Sequence, residues 1–191
     1  MRLIVGITGS SGAIFGIRAL ETLKALEVET HLILSQWSRA TIAHETSYTT
    51  DQVENLASVV HREDNQGASI SSGSFRTDGM LVAPCSMKTL AAIRTGYSDT
   101  LVSRAADVIL KERRKLVLVV RESPLSDIHL DNMLALSRSG AVILPPVPAF
   151  YNRPSTVDEI VNHIVGRALD QFGLDTPGLR RWLGFRPERE K

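Results

Sequence analysis

At 191 residues the chain can bury one substantial core and is short for two. Hydrophobic residues make up 43% and charged residues 23%, a globular composition that excludes a disordered chain. With 22 Lys plus Arg against 21 Asp plus Glu, no overall charge draws it to nucleic acid or to a membrane, so any anion site has to be local.

Leu3–Ile7 is a continuous apolar run, the mark of a strand buried on both faces. A helical period follows over Ala13–Leu26, then a second strand over His31–Leu34 and a helix over Ser38–Glu45. Residues 46–74 carry no clear period and receive no elements. Met80–Ala83 is the third strand, with helices over Met87–Thr95 and Leu101–Arg114 after it. Leu116–Val120 reads as a strand and Ile128–Ser139 as a helix with Gly140 at its C-cap. Ala141–Leu144 is the last strand. Thr156-Val157-Asp158-Glu159 reads as a capping box that opens a final helix. Ile160, Ile164 and Ala168, with Val161, Val165 and Phe172, make its apolar stripe. Strands alternating with helices predict a three-layer α/β domain around a mostly parallel sheet, flavodoxin-like or Rossmann-like. The domain is expected over 1–173, with 174–191 as a C-terminal tail.

The single Cys85 excludes an intrachain disulfide and suits a reducing compartment. No run approaches the ~18 apolar residues of a membrane span, and Met1-Arg2 leads into a strand without a signal-peptide pattern. A cytoplasmic protein is expected.

In an open α/β sheet, ligands gather beyond the carboxyl ends of the strands. Here those positions hold Thr8-Gly9-Ser10-Ser11-Gly12, Ser35, Pro84-Cys85-Ser86-Met87-Lys88-Thr89 and Arg121-Glu122. Glycines, hydroxyls and cations at one edge suit an anion site built on helix N-termini. Gly6-x-x-Gly9-x-x-Gly12 is not the dinucleotide G-x-G-x-x-G, and the second strand ends in Ser35 where an acid would hold a ribose. A mononucleotide with its phosphate near Ser10 and Ser11 fits better. A second set, Arg104, Lys111, Arg121, Glu122, Tyr151 and Arg167, offers further cations, although Arg167 could pair with Asp170 or Glu159 and Tyr151 could simply pack. Arg113 and Arg114 read as surface cations, and Cys85 as a small buried hydrophobe. The five histidines show no metal-ligand spacing, so no metal is expected.

Several of these segments together resemble the UbiX flavin prenyltransferases, in the branch that accompanies UbiD-like phenolic-acid decarboxylases. They are Val5-Gly6-Ile7-Thr8-Gly9-Ser10-Ser11-Gly12-Ala13, Ser71-Ser72-Gly73-Ser74-Phe75, Pro84-Cys85-Ser86-Met87-Lys88-Thr89-Leu90 and Arg104-Ala105-Ala106-Asp107-Val108. Leu110-Lys111-Glu112-Arg113, Arg121-Glu122-Ser123-Pro124-Leu125, Ile128-His129-Leu130-Asp131-Asn132-Met133 and Pro145-Pro146-Val147-Pro148-Ala149-Phe150-Tyr151 continue the likeness in order. The resemblance implies transfer of dimethylallyl from dimethylallyl phosphate to N5 and C6 of reduced FMN, without metal, by a homo-dodecamer with FMN at a subunit interface. It implies FMN contacts from Gly9, Ser10, Ser11, Ser35, Ser86, Met87, Lys88, Thr89 and Arg121. Arg104, Lys111, Tyr151 and Arg167 would cradle the prenyl donor, and Ser11, Glu45, Lys111 and Glu122 would serve catalysis. Some relatives carry a Trp shortly before the Ser-Gly-Ser loop, where Asn65-Gln66-Gly67 here has no aromatic. Three rival readings share the pattern: a decarboxylase of aromatic acids, an FMN-dependent decarboxylase of peptidyl cysteine, and a flavin carrier without catalysis.

Overall fold

Six parallel strands in the order β3-β2-β1-β4-β5-β6 form the sheet of the computed structural model, which describes residues 1–184. They are β1 (Arg2–Ile7), β2 (Glu29–Leu34), β3 (Val59–Arg62), β4 (Gly79–Cys85), β5 (Lys115–Val120) and β6 (Val142–Ile143). The order is the doubly wound one, and without the short edge strand β3 it is the flavodoxin order. β1 and β4 lie side by side, with Val5 opposite Leu81, and the chain winds away from this seam in both directions. That seam is the topological switch point, where an open sheet leaves a crevice.

The apolar runs form central strands because helices cover both faces. One core joins β1, β2 and the middle of the sheet to α1 (Ala13–Ala25), α2 (Gln36–Glu45), α3 (Thr50–Glu54) and α7 (Val157–Asp170). The other packs α4 (Met87–Thr95), α5 (Leu101–Lys111) and α6 (Asp127–Arg138) on the opposite face. Helices α5 and α7 therefore lie on opposite sides of the sheet.

Three differences from the expected elements have physical causes. The unassigned 46–74 stretch contains α3, β3 and a single 3-10 turn over Ser69–Ser71. β3 left little trace because it is a four-residue edge strand whose Val59 and Val60 stay partly exposed. Helix α5 stops at Lys111, since Arg113 turns left-handed at φ 57° and breaks the helical run expected to reach Arg114. The box at the start of α7 is only half closed. Thr156 Oγ1 accepts from Glu159 N at 3.2 Å, but the Glu159 carboxylate accepts from Ser155 N at 2.6 Å, one residue too early.

Candidate functional site

The carboxyl ends of β1 and β4 are held together by one buried residue, Thr8. Its N–H and its hydroxyl both donate to Pro84 O, at 3.2 and 2.7 Å, and its Oγ1 accepts from Ser86 N at 2.8 Å. The glycine turn and the Ser86 turn are thereby fixed side by side at the switch point. Gly9 has to be glycine, because a Cβ there would collide with the Trp37 Cβ at the start of α2. Beside it the Ser10 Oγ is buried without a hydrogen-bond partner among the described residues. An orphaned buried hydroxyl is costly unless a ligand satisfies it.

Three of the helices that start at this edge, α1, α2 and α4, differ in what meets their first amides. At α1, the Glu45 carboxylate accepts from Gly12 N at 2.8 Å and from Ala13 N at 3.4 Å. At α2, Ser35 is the N-cap and accepts from Ser38 N at 3.1 Å, while Glu63 Oε2 accepts from Gln36 N at 2.7 Å. At α4, Ser86 is the N-cap and its Oγ accepts from Thr89 N at 3.3 Å and donates to Thr89 Oγ1 at 3.1 Å. No described side chain accepts from the Met87 or Lys88 N–H. So α4 alone of the three presents its first two amides without a carboxylate, an arrangement suited to an anion.

Burial alone would raise the Glu45 carboxyl and is the largest single influence on it. The Ser11 hydroxyl, the Gly12 and Ala13 amides and the positive charge of Arg121 outweigh it and hold the group below its ordinary value. Arg121, leaving β5, thus faces the same spot, and its N–H donates to Cys85 O at 3.1 Å. Glu122 follows, exposed, with Oε1 accepting from Ser123 N at 3.0 Å. Cys85 is fully buried, and desolvation pushes its thiol up to about 12.

The second set of predicted residues is not gathered by one chain. Arg104 and Lys111 stand on α5, where Arg104 Nε donates to Ser71 O at 3.1 Å and Lys111 Nζ pairs with Glu112 at 2.5 Å. Lys111 lies only a short turn before β5 begins, at the amino edge of the parallel sheet and away from the Thr8 seam. Tyr151 and Arg167 meet on the α7 face instead. They share a cleft of about 610 Å³ with Val147, His163, Arg181 and Trp182. Tyr151 Oη lies 2.8 Å from His163 Nε2, and Arg167 pairs with Asp170 at 2.5 Å. Burial, joined by the nearby Arg167 charge, lowers the pKa of His163.

Sequence reading missed Thr8 as the staple, Glu63 at α2 and the role of Arg114. Arg114 is no idle surface cation, since its guanidinium donates to Gly73 O at 2.7 Å and to Phe75 O at 2.9 Å. An acid just after β3 would have drawn notice had that strand been recognised, whereas Arg114 carries no local signal. Among the described residues no three His, Cys, Asp or Glu side chains converge as metal ligands would, and no helix is long and apolar enough to cross a membrane.

A family model described as Flavoprotein matches residues 1–169. A probable UbiX-like flavin prenyltransferase of Streptomyces sp. (strain D7) is 63% identical over 190 residues, covering 99% of this chain and 95% of the relative. Among solved structures, a dodecameric FMN-dependent UbiX-like decarboxylase from Escherichia coli O157:H7 matches at TM-score 0.95 and 62% identity. That match covers 96% of this chain and all (100%) of the other. AnUbiX, solved with FMN and dimethylallyl pyrophosphate, matches at TM-score 0.96 and 55% identity over 97% of this chain and 98% of that one. With the doubly wound sheet and the stapled serine-rich turns already described, this likeness over nearly the whole length makes the chain a member of the flavoprotein family and, within it, of the UbiX-like flavin prenyltransferases.

Proposed function

We propose that the chain is a transferase that moves a dimethylallyl group from dimethylallyl phosphate onto reduced FMN. The observation that carries this reading is a pairing. At the switch point of the sheet the chain has an orphaned Ser10 hydroxyl and open α4 amides, and it matches at TM-score 0.96 a protein solved with FMN and a dimethylallyl donor. Gly9, Ser10 and Ser11 would line the ring side of the crevice. Ser35, the Ser86–Thr89 turn and Arg121 would hold the ribityl phosphate, on the amides that no carboxylate occupies. Reduced FMN supplies the electron-rich N5 and C6 that accept the prenyl group.

Lys111, Tyr151 and Arg167, with Arg104 beside Lys111, would hold the donor phosphate and stabilise the charge it gains on leaving. Since α5 and α7 lie on opposite faces, these residues meet only when neighbouring copies bring them together. A homo-dodecamer, as described for the Escherichia coli relative, would provide such contacts. Ser11 with Glu45 behind it, and Glu122, would take and return the proton. The reading places the enzyme in the cytoplasm and makes a UbiD-like decarboxylase the recipient of its product. Residues 1–173 form the working domain in this reading and 174–191 a tail, of which 185–191 lie outside the described residues.

The test is mass spectrometry of flavin extracted after the purified protein meets reduced FMN with dimethylallyl phosphate or, separately, the pyrophosphate. Addition of one dimethylallyl unit supports the reading, and unmodified FMN with both donors sinks it. The description of the Escherichia coli relative as a decarboxylase favours a second reading. Steady release of carbon dioxide from 4-hydroxybenzoate or vanillate, by this chain and FMN alone, would establish that one instead.

A further inference from the structure

Residues Ser71–Phe75 connect the 3-10 turn to β4, and guanidinium groups hold three of their carbonyls. Arg104 takes Ser71 O from the body of α5. Beyond the end of α5, the left-handed Arg113 reverses the chain, and Arg114 forks onto Gly73 O and Phe75 O at 2.7 and 2.9 Å. Phe75 is held from its other side as well, with the Arg2 guanidinium 4.6 Å over its ring and His31 edge-on at 5.2 Å.

What this clamp presses against is Lys111. A Cβ on Gly73 would collide with the Glu112 carboxylate and stand 2.8 Å from Lys111 Nζ. The Lys111–Glu112 pair thus lies against the loop backbone at Gly73, with Lys111 about half exposed. The bond from Lys111 also holds the Glu112 carboxyl below its ordinary value, so Glu112 keeps its negative charge at neutral pH. Two carbonyls at the spacing of a guanidinium fork suit Arg and not Lys, whose ammonium is a single point donor.

We propose that Arg114 is a positioning residue: by clamping Gly73 and Phe75 it sets the place of the Lys111 ammonium and so governs use of the prenyl donor. This rests on the reading that Lys111 serves the donor phosphate, and the experiment separates the two. The full-length protein is prepared as wild type, K111A, R114A, R114K and the R114A/K111A double variant. Prenyl-flavin formation is measured against dimethylallyl phosphate concentration, and FMN affinity on the same preparations. R114A is expected to raise the donor KM by about tenfold, as a misplaced group does, with FMN affinity within about twofold. R114K should fail to restore the wild-type KM, and should R114A not fold, R114K carries the test by itself. Adding R114A to K111A should cost nothing further, because the clamp acts through a side chain already removed. Losses that multiply in the double variant would overturn the proposal, as would a wild-type donor KM in R114A or R114K, or a parallel loss of FMN. A wild-type KM in K111A would instead remove the donor role of Lys111, and the proposal with it.

Discussion

The Glu45 carboxylate, on the last residue of α2, accepts a hydrogen bond from the Gly12 N–H at the head of α1, 33 positions earlier in the chain. It thus satisfies the first two open amides at the head of α1, where Gly12 has no side chain to act as a cap. Glu45→Ala should lower stability at neutral pH by about 0.5–1 kcal/mol, the scale of an exposed charge at a helix end. Prenyl transfer should fall by about a hundredfold if Glu45 also handles the proton. The folded pKa of Glu45 is depressed, so its stabilisation is present above the ordinary carboxylate range and lost as pH falls through the folded value. Melting curves across that range should slope less steeply for Glu45→Gln than for wild type. Equal slopes would mean that the bond contributes nothing.

Arg167→Ala should change stability by well under about 1 kcal/mol, because its pair with Asp170 is half exposed. Asp170 does not lose its charge partner, since Arg181 donates two bonds to it at 2.8 and 2.9 Å. The expected loss falls on use of the prenyl donor, by about tenfold or more, equivalent to one charge-assisted contact. FMN affinity should stay within about twofold. Donor titrations and FMN titrations of one preparation decide it, and wild-type turnover would return Arg167 to the surface.

Cys85 should be inert despite its place next to Ser86. A buried thiol pushed up to about 12 holds almost no thiolate at neutral pH. A chromogenic disulfide reagent should label the native protein at a small fraction of the rate seen after denaturation. Cys85→Ala should keep its prenyl transfer and lose about 1 kcal/mol of stability to the missing volume. Rapid native labelling would show that the strand end opens.

His31 Nδ1 and His61 Nε2 lie 2.8 Å apart between β2 and β3, a spacing that leaves room for one shared proton. Burial lowers the pKa of His61, and the neighbouring His31 lowers it further. A histidine with a depressed folded value stays neutral in the fold, so its stability is intact above the unfolded value of about 6.5. That stability drains away as pH falls below it. Thermal stability should therefore decline from about pH 7 towards about pH 5, and His61→Gln should flatten that decline. An unaltered slope would remove the pair from the pH response.

Legibility followed burial and locality. β1, β4 and β5 announced themselves because they are apolar on both faces, and the turns after them could be read in order along the chain. β3 could not, because its Val-Val-His-Arg sits at an edge with Val59 and Val60 partly in water. Ser35 and Ser86 were legible as strand-end residues at the ligand edge, and the structure makes each the N-cap of the helix that follows. Thr8 on Pro84, Glu63 on Gln36 and Arg114 on Gly73 were not. Each joins a side chain to backbone 27 or more positions away, and such a bond imposes no period on the residues around it.

The placement of α5 and α7 on opposite faces has a genetic counterpart. No single chain can bring its own Lys111 to its own Arg167, so under the proposed reading every working centre is assembled from more than one gene product copy. Two impaired alleles, K111A and R167A, expressed together would then co-assemble. Wherever the intact lysine of one polypeptide meets the intact arginine of the other, they would restore a complete centre, although neither allele forms one alone.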